Sequence, residues 1–199
     1  MEETAGGNRG RSLMEVLASV PDPRSAHGRR HPLGAILTMA VCAMLCGARS
    51  LYAISQWGRD HGTEVSQALG FTRDRTPCVS TLHQVFSRLD RGSFEGALGH
   101  WLQQRGLQPG EAVAVDGKTL RGIHGEELPG VHLVAAYAHQ AGIVVGQQAV
   151  GEKQNELGAL AGLLNQLDLR GRVVTGDALF TQREVCREIN RKGGTTSSR

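Results

Sequence analysis

The spacing of apolar residues changes character once along this chain: up to Gly106 they recur at helical intervals, and from Ala112 they alternate or run in short blocks. Ser12 before Leu13, Val16 and Leu17 predicts a short capped helix within 12–20. The prolines at 21, 23 and 32 make 21–32 a loop. Leu33 to Ala48 is an apolar run that predicts a buried helix stopped near Gly47. Ser50 can cap a further helix in which Leu51, Ile54 and Trp57 share one face. Residues 64–69 predict a turn or two of helix ending at Gly70. After Pro77, Leu82, Val85, Phe86 and Leu89 form one stripe with Ser80 or Thr81 as cap, and Ser93 opens the last helix of this half.

The second half reads as strands. AVAVD ends strand one at Asp116, VHLVAAYAH is strand two, and GIVVGQQAV is strand three, joined to strand two by the tight turn His139-Gln140-Ala141-Gly142. Leu157, Leu160, Leu164 and Leu167 give a crossing helix, RVVTGD ends strand four at Asp177, and TQREVCREINRK predicts a final amphipathic helix. The expected fold class is therefore α/β with an all-α N-terminal domain: a mixed sheet in the order β-β-β-α-β-α, the opening of an RNase H-like domain, incomplete at the C-terminus. The expected divisions are a disordered start (1–11), a helical domain (12–106), a Gly/Pro linker in 106–111, the sheet domain (111–192) and a tail outside the pattern (193–199).

Composition narrows the picture modestly. The formal net charge of +3 and pI near 8.9 are compatible with nucleic acid without requiring it. RSAHGRRHP (24–32) and REINRK (187–192) are locally basic, as solvated surface or as phosphate contacts. The four cysteines show no C-x-x-C pair, which suits a reduced, cytoplasmic compartment. The run from Leu33 stops short of the roughly 20 residues that cross a bilayer and starts too far from Met1 for a signal peptide, so no membrane is expected.

Candidate chemistry rests on Asp116 and Asp177. Each follows a short Val-rich strand, and neighbouring strands would bring the carboxylates to one sheet edge. Their mutual repulsion is relieved by a hard divalent cation such as magnesium. Two such ions about 3.5–4 Å apart serve phosphoryl transfer, one on the attacking oxygen and one on the leaving oxygen. Gly117 and Gly176 leave room beside each acid for a phosphate backbone. Lys118 and Arg121 are placed to contact a phosphate, or to pair with a nearby acid. Lys153 and Asn155 could reach DNA, while Asn155 could equally cap the crossing helix, with Glu156 favouring its dipole. Glu156 lies between the two aspartates in the chain, which argues against it as a third ligand. Gly117-Lys118-Thr119 is no P-loop, because Ala112 stands where the motif needs glycine and a strand follows. His124, His132 and His139 share no metal-ligand spacing and are read as loop and strand residues.

These strings resemble the transposases of the ISAs1 insertion-sequence family, DDE enzymes related to the IS4 group. The likeness runs through VPDPRSAHGRRHPLGAILTMAVCAMLCGARSL, AISQWGR and STLHQVFSRLD in the helical half. It continues through AVDGKTLRG, VHLVAAYAHQ, GEKQNE and VVTGDALFTQ, covering about residues 12–192. The resemblance implies that Asp116 and Asp177 are the first two acids of a DDE triad using magnesium. It implies as partners double-stranded DNA, at the element ends and in the target, and a second copy or a full-length transposase. The family's third acid is a Glu on a later helix. Glu184 and Glu188 lie on the helix directly after strand four and do not match it. Phe180 replaces a common His, and GGTTSSR departs from the family's continuation into a further strand. The expectation is a truncated transposase with an incomplete two-metal site and no activity. The rivals are a DNA-binding or regulatory module and an RNase H-like nuclease outside transposition.

Overall fold

The computed structural model describes residues 10–27, 29–108, 110–120, 131–151, 155–177 and 182–198. The chain divides into two compact units, Met1–Leu98 and Gly99–Arg199.

Unit one is helical: α1 (Leu13–Ala18), α2 (Leu33–Leu45), α3 (Leu51–Asp60), α4 (Gly62–Ala68), α5 (Val79–Phe86) and the first half of α6 (Arg91–Gly106). Local side-chain acceptors start several of these helices. Ser12 and Glu15 form a reciprocal capping box on α1, and Ser50 Oγ accepts from the Ala53 N–H on α3. Two starts differ from the sequence reading. Asp90, not Ser93, opens α6, its carboxylate accepting from the Ser93 N–H at 2.8 Å. Cys78 occupies the N-cap of α5, and the Ser80 and Thr81 hydroxyls bond its Sγ at 3.1 and 3.3 Å instead of capping backbone. The core gathers Leu17, Ile36, Leu37, Met39, Leu82 and Val85. Helix α2 is buried over Leu33–Ala40, and its far end is open, with Leu45 82% exposed. Gly34 permits the close crossing of α1: a Cβ there would stand 2.9 Å from both Cα and Cβ of Ala18. No helix among the described residues is long and apolar enough to cross a membrane. Of the start predicted to be disordered, only Gly10 and Arg11 are among the described residues.

Unit two holds the rest of α6 and a five-stranded sheet: β1 (Val113–Leu120), β2 (Val131–Ala138), β3 (Ile143–Ala149), α7 (Glu156–Asn165), β4 (Val173–Gly176), α8 (Arg183–Arg191) and β5 (Thr195–Ser198). The order is β3-β2-β1-β4-β5, with β1 central. Strands β1 to β3 are an antiparallel meander, and β4 and β5 run parallel to β1. This is the RNase H-like arrangement expected from the strand order. Val113, Val115, Val134, Ala136, Val145 and Val174 turn one face to Leu160, Leu163 and Leu164 of α7 and Ile189 of α8.

Three features depart from the sequence reading. Strand β1 does not end at Asp116. Its first residues, 113–115, pair with β4 on one side and β2 on the other, and 116–120 continue as a hairpin arm paired only with β2. A fifth strand exists within 193–199, the stretch expected to be a tail outside the family pattern. Gly193, at φ +76°, ends α8, and Gly194 passes so close to Ile189 Cγ2 (3.0 Å from a notional Cβ) that no side chain fits without a shift. The chain then pairs with β4 from Thr195, whose N–H donates to Arg172 O at 2.8 Å. Finally, the division between units falls inside α6, ahead of the 106–111 linker. The Gln103 amide donates to Gln166 O (3.0 Å) and Val145 O (3.3 Å), tying the second half of α6 to the sheet unit.

Candidate functional site

The central parallel pair sets the site. Val115 pairs with Gly176, so Asp116 and Asp177 are the next residue on each of two adjacent strands. Val113 and Val115 are 1% and 4% exposed, and alternation turns Asp116 to the opposite face, away from α7. Its side chain is 63% exposed. Asp177 is exposed and follows directly on the last residue of β4, where only Val174 is buried. Neither acid enters the apolar core. Lys118 lies on the Asp116 face and pairs with it, Nζ to Oδ2 at 3.7 Å. With both partners well exposed, this pair stabilises little and is free to exchange for a stronger one.

The other candidates divide. Asn155 is the N-cap of α7, with Oδ1 accepting from the Gly158 N–H at 2.9 Å, so its acceptor is committed to the helix. Arg121, Lys153, His124 and Phe180 lie outside the described residues. Glu156 is turned away from the acid pair: a Cβ on Gly117, pointing opposite to that of Asp116, would meet Glu156 Oε1 at 3.2 Å. That geometry agrees with leaving Glu156 out of the ligand set. Among the described residues no group of three His, Cys, Asp or Glu is arranged to hold a metal ion.

Two polar devices beneath the site escape the sequence reading. In the first, Thr119 and His132 are cross-strand partners, with Thr119 Oγ1 2.7 Å from His132 Nδ1, and His132 Nε2 meets the Glu156 carboxylate. A carboxylate only accepts, so Nε2 carries the proton, and in the neutral ring Nδ1 accepts from the Thr119 hydroxyl. This chain ties the β1–β2 hairpin arm, two residues beyond Gly117, to the first turn of α7. Replacing His132 and Glu156 by alanine singly and together should reveal a coupling of about 1 kcal/mol in urea unfolding, and additive losses would show that the contact carries no stability.

In the second device, Glu111 is fully buried at the base of β1. Its carboxylate accepts from the N–H groups of Gln108 (2.9 Å), Gln140 (2.6 Å) and Ala141 (2.8 Å). These bonds, that from Ala141 foremost, hold its pKa below the usual value, with Arg172 adding a smaller pull. Arg172 is itself 9% exposed and donates to Asp168 O at 2.9 Å and Gln108 O at 2.5 Å. The strand that carries Asp116 is thus anchored to the β2–β3 turn.

A helical unit is thus followed by a mixed sheet with an aspartate on or beside each of two adjacent parallel strands. Comparison with known proteins shows the family. Residues 14–102 match the family described as DDE_Tnp_1-associated, and residues 107–199 match the one described as Transposase DDE domain. That second match runs through 193–199, the stretch read from sequence as lying outside the family pattern. "Putative transposase YncI" of Escherichia coli K12 is 33% identical over 184 residues, covering 91% of this chain and 74% of that protein. Its namesake in Escherichia coli O157:H7 is also 33% identical, with 47% of that protein covered. "H repeat-associated putative transposase YhhI" of Escherichia coli K12 is 29% identical, with 49% covered. The chain belongs to the DDE transposase family. It spans about half the length of the last two relatives. A solved piggyBac transposase synaptic complex with hairpin DNA is a distant likeness, at 12% identity and TM-score 0.42 over 94% of this chain and 45% of that one.

Proposed function

We propose that residues 107–199 supply two carboxylates, Asp116 and Asp177, to a magnesium site that cuts and joins double-stranded DNA at the ends of an insertion sequence of the ISAs1 type. The observation that supports this reading is the β1–β4 register, Val115 against Gly176, after which Asp116 and Asp177 each come as the next residue, both exposed. Two exposed carboxylate groups are the hard oxygen donors that magnesium takes. Bound there, the cation would lower the charge on phosphorus oxygens and activate the attacking hydroxyl. The chain's own residues do the rest. Asp116 within β1 and Asp177 just past β4 would present the carboxylates, Gly117 and Gly176 would leave the approach open, and Lys118, paired with Asp116 in this structure, would be the nearby cation for a DNA phosphate. Arg121, Lys153 and the amide Nδ2 of Asn155 are further candidates for backbone contact. The third acid of a DDE triad is not found among the described residues. Two carboxylates alone are expected to bind the cation weakly.

Manganese, as a paramagnetic stand-in, tests this by NMR. Amides of 115–118 and 176–177 should broaden first. Asp116→Asn and Asp177→Asn should each weaken the effect on the order of tenfold, a loss that even indirect partners of a metal ligand can cause. Broadening centred elsewhere, or unchanged in both variants, would overturn the reading.

A further inference from the structure

Two segments of the helical unit are rich in positive charge, as is the stretch from Arg183 onward. The loop 22–31 and the segment 71–76 contain five arginines (24, 29, 30, 73 and 75) against two aspartates (22 and 74). Their balance equals the formal +3 of the whole protein. All other residues together are neutral.

Packing holds these charges in position. Asp22 accepts from the backbone N–H of Arg24 (3.0 Å) and from its Nε (2.9 Å) and Nη2 (2.8 Å), and Arg24 Nη2 also donates to His31 O at 2.8 Å. Arg29 closes the loop by donating to Arg24 O and Ser25 O, and lies 3.5 Å from Asp22. Arg24 is thereby committed to the loop, 13% exposed. The His31 ring meets Phe71 edge-on, centroids 5.6 Å apart, which brings the 71–76 segment and Arg73 alongside. Arg29, Arg30, Arg73 and Arg75 are exposed, and among the described residues no ion pair is found for Arg30, Arg73 or Arg75. His31 adds no charge of its own: burial first, then Arg24, Arg73 and Arg30, hold its pKa below the usual value.

Like charges that outnumber the carboxylates among them repel, and the arrangement is favoured when a polyanion lies across it. We infer that Arg30 and Arg73, flanked by Arg29 and Arg75, form a contact for the phosphate backbone of double-stranded DNA. The inference rests on the transposase reading for the identity of the polyanion. Duplex DNA offers a phosphate about every 1.7 Å along its axis, matching a spread of several cations. A single-strand site would present Phe, Tyr or Trp rings for stacking, and Phe71, the one such side chain in these two segments, is 3% exposed and packed inward. The cations stand on loops, outside any helix presented for groove reading, so the contact is independent of base sequence.

The test uses the whole chain and an arbitrary-sequence duplex, followed by fluorescence anisotropy across a salt series. Arg30→Gln with Arg73→Gln should weaken binding on the order of tenfold and reduce the salt slope by roughly two, one unit per lost phosphate contact. Arg30→Lys with Arg73→Lys, which keeps charge, should retain the slope. That pair also separates lost charge from lost fold, and circular dichroism melting confirms that both variants are folded. If the wild type binds and the folded Gln pair binds equally well with the same slope, the patch is refuted and the catalytic reading is untouched. If binding depends on the patch but manganese does not localise to Asp116, the patch stands and the catalytic reading falls. Tighter binding to single strands, or no wild-type binding at low salt, overturns the inference outright.

Discussion

Glu111→Ala is expected to lower the thermal midpoint of the sheet unit far more than a surface replacement such as Glu184→Ala. The change would strand three N–H groups, those of Gln108, Gln140 and Ala141, inside protein with no acceptor. It would also remove one of the negative charges that act on the buried Arg172 guanidinium, leaving Asp168. Glu111→Gln is less severe but not silent, because an amide turns a donor toward a backbone donor. The pH dependence has a definite sign. The Glu111 pKa is depressed in the folded chain from its ordinary 4.5. Its contribution is therefore complete above that value and is lost as pH falls through the folded pKa. Melting curves of wild type and Glu111→Gln should differ most above pH 4.5 and converge in acid. A constant gap across that range would mean that the carboxylate charge contributes nothing.

The contrast between what sequence showed and what it hid follows the range of each interaction. Ser12, Ser50 and Asn155 accept from a backbone N–H three residues ahead, within reach of any local reading. The central strands were legible because Val113, Val115 and Val174 alternate with open positions, and strand order then made Asp116 and Asp177 neighbours. Glu111 was hidden inside what looked like a linker, because its partners Gln140 and Ala141 are 29 and 30 positions away. His132 and Glu156 are separated by 24, and each alone looks like an ordinary strand or cap residue. Strand β5 was hidden for a different reason. Thr195-Thr196-Ser197-Ser198 has no apolar alternation, and its order comes from the free edge of β4 and the turn at Gly193 and Gly194. Asp90 and Ser93 are both good N-cap residues, so only the observed hydrogen bond decides between them.

Leu163→Ala should cost about 3 kcal/mol in urea unfolding of the sheet unit, within the range for emptying a fully buried leucine site. Helix α7 carries Leu160, Leu163 and Leu164 against β2 and β3, and it also presents Glu156 to His132. A looser α7 therefore reaches the hairpin arm beyond Asp116. A second substitution makes the prediction sharper. A Cβ on Gly146 of β3 would stand 3.0 Å from Leu163 Cδ1 and 3.3 Å from Leu167 Cδ2. In the wild type, Gly146→Ala presses on Leu163, and the strain offsets the gain from a stiffer unfolded chain. In the Leu163→Ala background that obstacle is gone, and the added methyl occupies part of the void. Gly146→Ala should then be stabilising, with a coupling between the two sites on the order of 1 kcal/mol. Equal effects of Gly146→Ala in both backgrounds would mean that α7 and β3 are not packed side chain to backbone in the way these distances require.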